Sequence, residues 1–223
     1  MPTPEQQKLA AVMELLASRI CHDIISPVGA INNGIEFMQE MGADAMEEGL
    51  ELVAYSAEQS AAKLAAFRMA YGAGGRDPHI KPEDVQKAFG QYLRGDGKIT
   101  QAWDPFGKLG PDPLPPAFPK MLIGGLLLAA EALPKGGMIF IKPQDDGCHI
   151  VAEGTGAIVR DGVQDALDQK TETAALDPRL VHPYILGLLA RADGYRFAMT
   201  QKDEERVIVA LTFPPVTKTS DEE

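Results

Sequence analysis

Between positions 4 and 71 the chain carries one internal proline, Pro27, and consists largely of Ala, Met, Glu, Gln and Leu. Such residues lose little on entering a helix, so the segment is predicted to fold as long helices. It ends in Gly-Ala-Gly-Gly-Arg-Asp-Pro at 72–78, a helix stop followed by a flexible joint. Beyond the joint, prolines and glycines recur at short intervals and β-rich runs appear. The expected organisation is therefore two domains, 1–74 helical and 75–223 mixed.

The helical part reads as an antiparallel hairpin. Met13, Leu16, Ile20, Ile24, Pro27, Ile31, Ile35 and Met38 recur every three or four residues, the seam of one long amphipathic helix. Gly42, Ala43 and Asp44 make a turn in which Asp44 is expected to cap the second helix. That helix carries Met46, Leu50, Val53, Ala57, Ala61, Leu64, Ala65 and Phe67 or Arg68 at similar spacing. Two helices alone bury too little surface, so a homodimer forming a four-helix bundle is expected. Met13, Met38, Met41 and Met46 suit the hairpin core better than a docking surface.

The remainder predicts an α/β sandwich. Helices are expected at 82–93, 119–133 and 182–191, and strands at 98–103, 138–142, 148–153, 195–200 and 206–213, with a frayed tail at 217–223. The fold class is α+β.

Lys plus Arg total 21 against 32 Asp plus Glu, a net charge of −11, which repels phosphate backbones and anionic lipid and argues against nucleic acid as ligand. Apolar runs fall short of a membrane span, and the opening MPTPEQQKLAAVMELL lacks the basic and apolar regions of a secretory signal. Two distant cysteines, Cys21 and Cys148, are no disulfide framework, and Cys21-His22 lacks further ligands for a metal. The expected compartment is the cytoplasm, with no membrane partner and no metal site.

The chemistry concentrates in His22-Asp23-Ile24-Ile25-Ser26-Pro27-Val28. At about 100° per residue, His22 points away from the apolar seam, on a strip with Ser18, Arg19, Ser26, Gly29 and Asn33. A solvent-facing histidine is ordinarily just surface. A proline one turn later changes the weighing, because a helix accepts the loss of about 3 kcal/mol only for a reason. Pro27 removes the hydrogen bond to the Asp23 carbonyl and is expected to bend the helix there. An imidazole with an ordinary pKa near about 6.5 is mostly neutral at cytosolic pH. Asp23 is placed to hold one ring nitrogen as N–H and leave the other lone pair outward. Gly29 keeps the adjoining surface low. His79, His149 and His182 read as exposed or structural.

His-Asp-Ile-Ile-Ser-Pro-Val resembles the phosphoacceptor box of sensor histidine kinases, in which a His-acid pair precedes a proline within a dimeric two-helix hairpin. The stretch SRICHDIISPVGAINNGIEF at 18–37 is similar to one branch, the ChpT-type histidine phosphotransferases of alphaproteobacterial cell-cycle phosphorelays. The resemblance spans nearly the whole chain and implies that the second domain resembles a kinase ATP-binding domain. Its boxes are degenerate: Gly125 and Ala129 stand where the Asn residues of the kinase helix belong. Ala152-Glu153-Gly154-Thr155-Gly156 has Ala for the adenine-binding Asp, and Leu186-Gly187-Leu188 lacks a phosphate-cradling run.

What the resemblance implies is a phosphotransferase that accepts a phosphoryl group from a receiver aspartate onto His22 and passes it to response regulators, without ATP. His22 is the expected acceptor and Asp23 its orienting partner, with Arg19, Ile25, Ser26, Gly29, Asn32, Asn33 and Glu36 docking the receivers. The donor is a hybrid kinase's receiver domain; the acceptors are a cell-cycle regulator and a receiver controlling proteolysis. No cofactor is expected on this chain, Mg²⁺ residing on the partner receiver. The rival readings are an active histidine kinase and a non-catalytic dimeric scaffold for receivers.

Overall fold

The computed structural model describes residues 3–95, 97–172 and 175–215; the expected tail at 217–223 lies outside the described residues. Helix α1 spans Pro4–Met41 and runs unbroken through Pro27. Its start is set locally: Thr3 accepts from the Gln6 amide while the Gln6 side chain accepts from the Thr3 N–H, and Pro4 sits where a missing N–H costs nothing. A 3₁₀ turn, Gly42–Ala45, leads into α2, Met46–Tyr71. Asp44 lies inside that turn, and the cap position of α2 is Ala45 with no side-chain bond, so the expected Asp44 cap does not form.

After α2 come α3 (Pro82–Leu93), β1 (Ile99–Gln101), α4 (Phe118–Glu131), β2 (Gly137–Gln144), β3 (Gly147–Glu153), α5 (Val163–Leu167), α6 (Val181–Ala192), β4 (Arg196–Asp203) and β5 (Arg206–Thr212). The strands form one sheet in the order β1-β2-β3-β5-β4, with β1 parallel to β2 and the rest antiparallel. Alternation along the strands sends Ile139, Ile150, Val207, Val209, Leu211 and Phe197 to the helical face.

Helix α4 is the centre of the molecule. From Phe118 to Ala129 its side chains are buried, Pro119 excepted, because the sheet lies on one side and α2, α3 and α6 on the others. That enclosure is why its sequence is apolar all round rather than on one stripe. Lys120, in its first turn, is buried, and its Nζ donates to the Gly72 carbonyl at 2.7 Å, closing the C-terminus of α2 with a cation.

The packing of α2 differs from the periodicity reading. Its buried residues are Gly49, Ser56, Gln59, Ser60, Ala62, Ala66, Phe67 and Ala70, which meet α1, α3 and α4. Met46, Leu50, Ala57, Ala61 and Leu64 are exposed in the single chain. Small side chains set the approach: a Cβ at Gly34 of α1 would stand 2.9 Å from Val53 Cγ2 of α2. The methionines also depart from expectation, since Met13, Met41 and Met46 are exposed and Met38 packs against Gly49.

Candidate functional site

Each turn of α1 around position 22 presents two faces. The inward face carries Ile20, Ile24 and Ile31, half-buried. On the opposite face the His22 side chain is 87% exposed, and its Nδ1 lies 3.2 Å from Asp23 Oδ1, Asp23 being 28% exposed. A carboxylate can only accept, so Nδ1 is the donor in this contact, and in the neutral ring the lone pair is on Nε2, on the exposed side chain. Adjacent residues in a helix do not ordinarily face each other; here the short Asp side chain reaches across to the ring.

The surroundings are open. Ile25 is 69% exposed, and Ser26, Asn32, Asn33 and Glu36 are exposed along the same side and its flank. A Cβ at Gly29 would meet nothing within 4 Å among the described residues, so the surface there is open.

Arg19 differs from its expected docking role. Its side chain is only 17% exposed, folded back to ion-pair with Glu131 at the end of α4 and reaching the Pro178 carbonyl at 3.5 Å. Helix phase alone places Arg19 near His22, but its length lets it turn to an acidic partner 112 positions away, which only the fold brings near.

Two further residues escape a sequence reading. Lys63 of α2 donates its Nζ to the Asp23 backbone carbonyl at 3.0 Å. Pro27 signals that this carbonyl needs a donor, though nothing in the sequence says which. Glu131 and Lys63 both border a groove of about 460 Å³ between the hairpin and the α/β domain, beside Ser26 and Pro27.

Deeper in the same junction His182 is completely buried. Its Nε2–H donates to the Gly124 carbonyl at 3.1 Å and its Nδ1 accepts from the Tyr71 hydroxyl at 2.7 Å, the structural role expected of it. Burial pushes the imidazole down to about 4 and the Tyr71 phenol above its ordinary range. Burial likewise lifts the Cys148 thiol to about 12, while Cys21 is exposed beside His22. Among the described residues no group of three or more His, Cys, Asp and Glu side chains is placed to hold a metal ion, and no helix is long and apolar enough to cross a membrane.

The degenerate boxes have definite positions. Gly125 turns to the sheet, where a Cβ would stand 2.5 Å from Ile150 Cδ1 and 3.0 Å from Phe197 Cε1, and Ala129 is wholly buried in the core. The α4 residues that line a cleft of about 450 Å³ are instead Leu128 and Glu131, followed by Ala132 just past the helix end, with Ile158, Arg160 and Arg179 also lining it. Gly125 and Ala129, at the positions of the kinase Asn residues, therefore do not line this cleft. Gly154, Thr155 and Gly156 form a turn after β3, as expected. Leu186-Gly187-Leu188 is interior to α6, and Gly187 is there to pass the backbone of Leu167 in α5.

Comparison with known proteins finds phosphotransferases in sequence and in structure. Residues 82–205 match the model of the histidine phosphotransferase C-terminal domain. The protein phosphotransferase ChpT of Brucella abortus (strain 2308) is 34% identical over 201 residues, covering 88% of this chain and 93% of that protein. A solved bacterial phosphotransferase superposes with a TM-score of 0.70 at 32% identity, covering 89% of this chain and 95% of the other.

Proposed function

The chain belongs to the histidine phosphotransferase family, and from that premise we propose that His22 is the residue through which it relays phosphoryl groups. The observation that carries the proposal is the outward Nε2 of an exposed imidazole whose Nδ1–H is held by Asp23 at 3.2 Å. Its lone pair attacks the phosphorus of an aspartyl phosphate on a receiver domain in line. The P–N bond forms as the acyl P–O bond breaks, and the receiver's carboxylate leaves. The reverse step delivers the group to the aspartate of a second receiver.

Such transfer depends mainly on alignment and charge neutralisation. This chain supplies a positioned neutral nitrogen and a low surface over Gly29; the receiver supplies Mg²⁺ and a balancing lysine. Ile25, Ser26, Asn32, Asn33 and Glu36 make the docking face. By family likeness the donor is the receiver of a hybrid histidine kinase, and the acceptors are cytoplasmic response regulators of the cell cycle. Two copies of the chain pair through the exposed stripe of α2.

The α/β domain works without ATP on this reading. Supporting it, the α4 side chains that line the cleft are Leu128 and Glu131, neither of them an Asn, and Glu131 is engaged by Arg19.

The test is incubation with a receiver phosphorylated on aspartate. Acid-labile, base-stable label on this chain is expected, and none on His22→Gln of unchanged circular dichroism. Label that persists in His22→Gln, or none on the parent, overturns the assignment. Micromolar retention of ATP–Mg²⁺ in equilibrium dialysis would restore the kinase reading.

A further inference from the structure

Pro27 has no N–H to offer the carbonyl four residues back, which is that of Asp23. That carbonyl is bonded all the same, by Lys63 Nζ from the neighbouring helix at 3.0 Å. Lys63 is half-buried along the groove with Ser26, Pro27 and Glu131, so its ammonium is directed at the backbone of α1 rather than free in solvent. Asp23 is consequently gripped at both ends. Its main chain is held by α2, and its carboxylate holds the imidazole of His22.

We infer that Lys63 is a positioning residue for transfer at His22. By supplying the hydrogen bond that Pro27 removes, it fixes the backbone on which the carboxylate–imidazole pair is set, and so the direction of Nε2. This rests on His22 being the acceptor. The proline and the lysine then form one device: the proline opens the carbonyl and the lysine ties that turn of α1 to α2, which an intrahelical bond cannot do.

A double-mutant cycle tests it. Pro27→Ala restores the N–H and with it the helix's own bond to the Asp23 carbonyl. Lys63→Met removes the ammonium and keeps the stem. With saturating phosphorylated receiver, Lys63→Met slows transfer by about tenfold in the parent background, and by less than about twofold in Pro27→Ala. Receiver affinity stays unchanged, Lys63→Arg retains most of the rate, and ¹⁵N shifts of the His22 ring in Lys63→Met lose the single-tautomer pattern. An equal loss in both backgrounds would mean that Lys63 acts on the phosphoryl group or the receiver, and would overturn the inference. So would full activity of Lys63→Met in the parent. If Lys63→Met does not fold, Lys63→Leu carries the same cycle. Failure of the acceptor assignment shows separately, as label retained in His22→Gln.

Discussion

His22 and His182 share a side chain and little else. The first stands in water with a carboxylate beside it; the second is sealed between Tyr71 and the Gly124 carbonyl and must stay neutral. Because burial lowers the His182 pKa to about 4, the unfolded chain takes up a proton near pH about 6.5 that the folded chain refuses until about 4. More protons bound to the unfolded state means stability that is full above pH about 6.5 and declines as pH falls toward 4. The decline amounts to about 3 kcal/mol from this residue. Urea unfolding at a series of pH values checks it. In His182→Phe the slope of stability against pH between 4 and 6.5 is expected to drop by about one proton; an unchanged slope refutes the assignment. Both histidine environments were legible to a degree in the sequence, His22 from helical phase and His182 from its place before Pro183 at a helix start. Arg19 was not, because its fate depends on Glu131, 112 positions away.

At the scale of elements, most of the fold was readable for local physical reasons. Pro82 with Glu83 and Asp84 marks the start of α3, and the Pro-Gln-Asp-Asp-Gly run between two apolar strands gives the β2–β3 hairpin. Helix α5 has five residues and no periodic signal; it exists because Gly187 of α6 lets the two backbones meet. The rotation of α4 was equally hidden, since a helix apolar on all sides carries no phase information. It decides a prediction. Gly125→Asn, the substitution that restores a kinase-like residue by sequence, forces an amide between Ile150 and Phe197. Overpacking and an unpaired buried amide together are expected to cost about 2–4 kcal/mol, with no gain in nucleotide binding. Denaturant unfolding and ATP dialysis on the same preparation decide it. Parent-like stability would mean that position 125 faces the cleft after all.

The whole molecule leaves one long surface unaccounted for. Helix α2 gives one side to α1 and another to α3 and α4, yet Met46, Leu50 and Leu64 remain 46%, 53% and 50% exposed, with Ala57 and Ala61 open between them. At about 100° per residue these five fall on one narrow stripe, and at 1.5 Å per residue it runs for about 27 Å. Scattered apolar residues on a surface need no explanation, but an aligned stripe of that length does. In the proposed homodimer a second copy would lay the same stripe against it by two-fold symmetry, and each leucine moved from half-exposed to buried would contribute about 1 kcal/mol. Leu50→Glu with Leu64→Glu therefore removes four such contributions per dimer and sets four carboxylates where they would have to lose water. Dissociation is expected to be at least about a thousandfold easier, with helix content unchanged, because neither leucine supports the fold of the single chain. Sedimentation equilibrium at micromolar concentration reads both states. A parent chain that sediments as a monomer, or a doubly substituted chain that still pairs, would move the homodimer to some other surface.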